Sequence, residues 1–195
     1  CQQQPRTDCV TTARKSVLKI VDLTRAGPDP DRKDSLAWTW VDGPSVSFES
    51  MGQMMGAGDL RLCIYDERSG AASLAASLVI PGGGTCKRRA CWKREGSPGD
   101  PRGYKYKDSE QDNSGVRNIL IRAANLSNTK ISLRGGGPGL SLGEPFSAAA
   151  YFDQDPSVTV QVVTTPGLCW EAAYSLADTR KNTGEQFKAR CKSCP

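Results

Sequence analysis

The 195-residue chain contains no histidine. That excludes Ser-His-Asp and Cys-His catalysis, His-ligated zinc, His-held haem and the usual near-neutral general base. Long apolar runs are also missing. The longest apolar-leaning stretch, Ala71–Pro81, is broken by Ser73 and Ser77, well short of the roughly 18 apolar residues of a membrane-spanning helix. No segment keeps a 3.6-residue period over three turns, which excludes helix bundles. "FESMGQMMGAG" (48–58) suits one helical turn, and its glycines oppose more. Aromatic residues make up 7% of the chain and hydrophobic residues 37%, with a mean hydropathy of −0.48, so any core should be thin.

Cysteine and turn formers are plentiful. The chain has eight Cys, 20 Gly and 12 Pro. An even number of cysteines points to an oxidising compartment and a disulfide framework. Cys86 and Cys91 bracket a four-residue loop and are expected to pair. Cys63 and Cys169 lie in apolar contexts, "RLCIYD" and "GLCWEA", and are expected to join two strands. Cys1, Cys9, Cys191 and Cys194 are placed to pin the two chain ends. A zinc site built from Cys86, Cys91, Cys191 and Cys194 is the weaker alternative. The Cys191–Cys194 pair does not open a helix after a strand, which disfavours redox chemistry. Cys1 heads the chain and reads as a processed mature end or a fragment, and as a candidate lipid anchor.

Alternating runs predict strands at 16–23, 35–41, 60–66, 72–80, 104–108, 116–123, 129–135, 157–163, 168–175 and 185–190. Residues Val116, Ile119 and Ile121 break strict alternation, which predicts a bulge. Turn signals separate the runs, among them "GPDPDRKD" (27–34), "NLSNT" (125–129) and "TPG" (165–167). The order strand, strand, long Gly-rich loop, strand, strand, Cys-Trp occurs twice. The expected architecture is therefore all-β: two tandem antiparallel sandwich-like halves, an internal duplication, stapled by disulfides. Its boundaries are an N-terminal extension (1–13), a first half (14–96), a linker (97–103), a second half (104–190) and a CxxC tail (191–195).

The formal charge is +5. Residues 87–107 hold eight cations against Glu95 and Asp100, a net +6 in one segment. The cations are Lys87, Arg88, Arg89, Lys93, Arg94, Arg102, Lys105 and Lys107, interleaved with Trp92, Tyr104 and Tyr106. A solvated face, an anionic polymer partner and nucleic acid compete for this segment. The disulfide-rich context disfavours nucleic acid. Trp38 and Trp40 share a strand face and read first as core, second as a stacking platform. The candidate carboxylates Asp108, Glu110, Asp112, Asp153, Asp155 and Glu171 lie mostly in turns, where capping is the commoner role. "DSEQDNSG" (108–115) has Asn113 and Ile119 where a calcium loop needs its sixth-position glycine and twelfth-position glutamate. "GGGPG" and "PGGG" lack the residues of a phosphate loop.

The phrases "SLAWTWVDG", "LRLCIYDE", "GGGTCKRRACWK", "GYKYKD", "ISLRGGGPGLSL", "VTVQVV" and "GLCWEAAYS" resemble, in this order, a module of predicted secreted proteins of environmental bacteria. The likeness covers roughly residues 14–190, with Cys63, Cys86, Cys91 and Cys169 at the module's recurrent cysteine positions. It implies a secreted β-rich module and supplies no active site. The expected role is non-enzymatic, with no cofactor and no metal: an extracellular or cell-surface structural or adhesive module that self-assembles through strand edges and terminal cysteines into an oligomer or filament. The alternative is a glycan- or anionic-polymer-binding module.

Overall fold

The computed structural model describes residues 1–23, 31–124, 128–165 and 167–194; the turns expected at 27–30 and 125–127 and the proline of "TPG" lie outside them. The described residues form fourteen strands. They are β1 (Ala13–Val21), β2 (Ser35–Val41), β3 (Asp59–Arg68), β4 (Ala71–Pro81), β5 (Thr85–Cys86), β6 (Arg89–Ala90) and β7 (Trp92–Ser97), then β8 (Asp100–Lys107), β9 (Val116–Arg122), β10 (Lys130–Gly136), β11 (Ser157–Thr164), β12 (Cys169–Ser175), β13 (Thr179–Thr183) and β14 (Gln186–Cys194). The class is all-β and antiparallel, as the alternation predicts. An eight-stranded sheet runs β13-β14-β1-β2-β10-β9-β8-β7, a four-stranded sheet runs β12-β11-β3-β4, and β5-β6 is a small separate hairpin.

The two expected halves do not stand side by side. Strand β2 pairs with β10 and β3 with β11, so each sheet is joined across the chain's middle. Each hairpin that follows a half's fourth long strand crosses over: β7-β8 pairs with β9, and β13-β14 pairs with β1. The strand order therefore reads alike from both ends of each sheet. Residues 97–103, expected as a linker, are the end of β7, the turn of the β7-β8 hairpin and the start of β8. The expected tail at 191–194 is the end of β14, paired with β1. Strand β13, "TRKNT", was not legible, because it has no apolar alternation. The expected bulge is present: Asn118 faces Arg134 and Val116 faces Gly135, leaving Arg117 unpaired.

The core lies between the sheets. Trp38, Trp40, Leu36, Leu18 and Ile20 enter it from the large sheet; Leu62, Ile64, Val160, Trp170 and Tyr174 enter it from the small one. Burying an indole or a phenol requires a partner for its polar tip. Trp38 Nε1 donates to the Tyr174 hydroxyl at 3.0 Å, which also meets Ser16 Oγ at 2.5 Å. Trp40 Nε1 donates to the Glu171 carbonyl at 3.1 Å. These bonds tie the large sheet to β12, and Trp38 and Trp40 are core residues.

All eight cysteines are paired. Cys86–Cys91 closes the short hairpin as expected, and Cys191–Cys194 closes the end of β14. Cys63 and Cys169 do not join each other. Strand β11 lies between their strands, so two strand spacings, about 9–10 Å, exceed the roughly 7 Å Cα separation a disulfide can bridge. Instead both point outward from the small sheet and capture the N-terminal segment, as Cys1–Cys63 and Cys9–Cys169. Between those anchors, Gln161 accepts from the Arg6 amide at 3.1 Å and donates to the Arg6 carbonyl at 2.8 Å. Val10 adds a parallel bridge to Trp170 on the edge strand β12. The Cys1 sulfur is thus committed to Cys63, which leaves no thiol there for a lipid or a second chain.

The half-buried Glu171 receives a hydrogen bond from Gln161. Burial nonetheless pushes its carboxyl above the ordinary value, opposed by that bond and aided by Glu67. A carboxyl with a raised folded pKa contributes stability below its unfolded pKa and loses it as pH rises through the folded value. Glu171→Gln, whose amide oxygen still accepts from Gln161, should therefore raise Tm at neutral pH, with the gap to wild type closing as pH falls to about 3; thermal melts across that range check this. Trp92 is 1% exposed, so Trp92→Ala should cost about 3–5 kcal/mol, measured by urea unfolding.

Candidate anion-binding face

In a strand, successive side chains point to opposite faces. The large sheet sends its aromatic residues inward and must send the intervening residues outward. In β8, Tyr104 and Tyr106 are buried while Lys105 and Lys107 are exposed. In β7, Trp92 is buried and Lys93 exposed. Trp92 Nε1 donates to the Pro81 carbonyl at 2.8 Å, and the Tyr104 hydroxyl to the Gly52 carbonyl at 2.8 Å. Trp92, Tyr104 and Tyr106 are thus a core cluster, with ring centroids 5.0 Å apart for Trp92–Tyr106. The expected stacking platform has no exposed ring among them.

The expected basic segment divides into parts. Arg102 is taken by Asp100 at 2.8 Å. Arg94 lies over the Phe48 ring, 5.4 Å from its centroid. The remaining six cations converge. Lys93, Lys105 and Lys107 stand on the outer face, and Lys87, Arg88 and Arg89 come from the β5-β6 hairpin; together they line one open depression, with Glu110 at its rim. The hairpin turn is Lys87-Arg88, with φ of 48° and 67°. Two consecutive positive φ values are the pattern of a type I′ turn, which favours Asn-Gly. Two bulky cations in that conformation cost on the order of 1–3 kcal/mol each. Cys86–Cys91 closes the hairpin around them. The Lys87 amide donates to Glu110 Oε2 at 2.9 Å, fastening the hairpin to the 108–115 turn.

That turn is built on Asp108, which is 1% exposed. Its carboxylate accepts the amides of Glu110, Gln111 and Asp112 at 3.0–3.1 Å and the Tyr106 hydroxyl at 3.1 Å. Oxygens of Asp108, Glu110 and Asp112 lie within 4.8 Å of one another, but those of Asp108 are engaged in holding the backbone. The Asp153 amide donates to Asp66, and the Asp155 amide to the Glu67 carbonyl. With every cysteine in a disulfide, the four-Cys zinc alternative has no thiolate to use.

The outward residues form rows across the strands. In register, one row reads Lys181, Lys188, Lys19, Ala37, Arg134, Asn118, Lys107. A second reads Arg190, Val17, Thr39, Ser132, Leu120, Lys105, Lys93. A third reads Lys192, Lys15, Val41, Lys130, Arg122, Gly103, Glu95. Glu95 is the one carboxylate in these three rows, and it pairs with Lys105 and, at 4.0 Å, with Arg122. The first two rows pass through a shallow depression lined by Lys105, Lys107, Asn118, Leu120, Ser132 and Arg134. Like charges sit directly opposite at Lys181–Lys188, Lys188–Lys19, Lys192–Lys15, Lys130–Arg122 and Lys93–Lys105.

The sequence reading missed Lys15, Lys19, Lys181, Lys188, Arg190 and Lys192. The alternating cations of "FKARCK" (187–192) were a signal that this strand has one charged face. That β14 lies beside β1 was not legible. Among the described residues no helix is long and apolar enough to cross a membrane. Comparison of the chain with protein-family models, with curated proteins and with solved structures finds no match.

Proposed function

We propose that the protein is a non-enzymatic extracellular binding module whose basic face holds an anionic polysaccharide, and that it is adhesive in that sense. The observation that carries this reading is the placement of cations opposite cations. A face needed only for solubility gains from mixed signs, and like charges directly opposite in a sheet are destabilising. The depression between the hairpin and the sheet supports the same reading, since six cations converge there from two separate elements. A strained Lys87-Arg88 turn held by a disulfide fits a positioned site better than a loose solvated loop.

Four disulfides support an oxidising, extracellular setting. The polysaccharide is favoured over nucleic acid because the aromatic rings of the segment are buried, while sequence-tolerant single-strand binding relies on exposed stacking rings. Assembly through strand edges receives less support. The large sheet's edge strands β7 and β13 are short and carry Lys93, Arg94, Arg180 and Lys181, the devices that deter strand addition.

Binding to immobilised polygalacturonate, measured by surface plasmon resonance, tests the proposal. A surface cation near a polyanion is worth about 1 kcal/mol. Arg88→Ala with Arg89→Ala should thus weaken binding roughly 10- to 30-fold, and added salt should weaken the wild type steeply. Cys86→Ala with Cys91→Ala keeps the net charge and gives up a short loop worth about 2 kcal/mol, yet should also weaken binding because it frees the turn. Unchanged affinity in both double variants would remove this site.

A further inference from the structure

The first row extends beyond the depression. From Lys107 it crosses seven strands to Lys181, about 29 Å at the usual inter-strand spacing. The far end is the densest part. Lys19, Lys188 and Lys181 stand opposite one another on three adjacent strands, β1, β14 and β13. Lys188 and Lys181 are exposed, as is Lys19. Among the described residues no carboxylate pairs with any of the three. Arg190 and Lys192 continue on the same outward face of β14, and Lys192 lies opposite Lys15. Between the two ends stands Arg134, two strands from Lys107 and two from Lys19, and the shallow depression that holds it also holds Lys107.

This far cluster is the topological counterpart of the near one. The hairpin β13-β14 flanks β1 as the hairpin β7-β8 flanks β9, at opposite ends of one sheet. Both hairpins present cations outward and bury an aromatic inward: Phe187 in β14, Tyr104 and Tyr106 in β8. The near cluster has Glu95 and Glu110 close by. The row that carries Lys19, Lys181 and Lys188 has no acid in it. Three mutually repelling lysines in a ladder lower the stability of the folded chain, and an anion lying along the ladder removes that penalty.

We infer that Lys19, Lys181 and Lys188 form a second anion subsite, and that one linear anionic polysaccharide lies across the strands from the depression beside Cys86–Cys91 to this ladder. The inference rests on the proposed polysaccharide reading and adds where the chain runs and that it is held at two places. Holding one polymer at two subsites makes the second contact intramolecular, so affinity rises with chain length beyond what either end provides. The shared chemistry is a repeating carboxylate or sulfate, and polygalacturonate and dextran sulfate separate those two sources.

The test compares tetragalacturonate, too short to bridge the clusters, with polygalacturonate, by isothermal titration at fixed salt. The wild type should bind the polymer at least about tenfold tighter per chain than the tetramer. The triple variant Lys19→Ala, Lys181→Ala, Lys188→Ala should lose most of that advantage while its tetramer affinity changes less than about twofold. Its Tm should equal or exceed that of the wild type, because the substitutions relieve repulsion. Lys188→Gln alone should move polymer binding in the same direction by a smaller factor, and it keeps the inference testable if the triple variant folds poorly. Polymer binding unchanged in both variants overturns the second subsite and leaves the depression standing. No binding of either probe by the wild type overturns the polysaccharide reading itself. Retention of single-stranded DNA as tight as that of polygalacturonate and dextran sulfate overturns the choice of partner.

Discussion

Each residue of the eight-stranded sheet has only two directions in which to send its side chain. A thin core takes most of the large groups on one of them. Trp38, Trp40, Trp92, Tyr104, Tyr106 and Phe187 all point inward, where they are at most 4% exposed. The residues between them are then forced outward together, and on β1, β7, β8, β10 and β14 many of them are lysine or arginine. The aromatic core and the cationic face are therefore one pattern seen from its two sides. Moving β8 by one residue would expose two tyrosines and bury two lysines, so packing that stabilises the core also keeps the charges on the surface.

The remaining elements hold that sheet in place. Tyr174 accepts the Trp38 indole and meets Ser16, which links β12 of the small sheet to β1 and β2 of the large one. The N-terminal segment covers the outer side of the small sheet, fixed at two cysteines and at Gln161 between them. Its polar neighbourhood, with Glu171 and Arg6, is a structural clasp. The two sides of the molecule consequently differ. One side is closed by chain and disulfides; the other is an open face of cations with the stapled hairpin at one end. Gly103 belongs to that open face. At φ 149° its absent Cβ would stand 1.9 Å from the Ile121 carbonyl, so β8 and β9 pair closely only because no side chain intervenes there.

The chain's local periods were readable because they depend on neighbours in sequence. Period-two alternation in "VLKIV", "LAWTW" and "VTVQV" announced strands, the broken alternation at Val116 and Ile119 announced a bulge, and the spacing of Cys86 and Cys91 announced a closed loop. The basic run at 87–107 was visible for the same reason. It was visible as a run, however, and the fold took it apart. Trp92, Tyr104 and Tyr106 went to the core, Arg102 to Asp100 and Arg94 to Phe48. The far lysines were hidden for the opposite reason: Lys19 and Lys188 are distant in the chain and become neighbours only once β14 lies beside β1.

Sequence alone determined the all-β class, the oxidised cysteines, the absence of histidine chemistry and the place of the basic hairpin. Each of these is set by composition or by spacing within a few residues. Tertiary structure decided that strands from both parts of the chain share each sheet, that Cys1 and Cys9 capture Cys63 and Cys169, and that cations from seven strands line up in rows. Those outcomes depend on which strands become neighbours and in what register, and that is a balance of packing over the whole chain which no local stretch encodes.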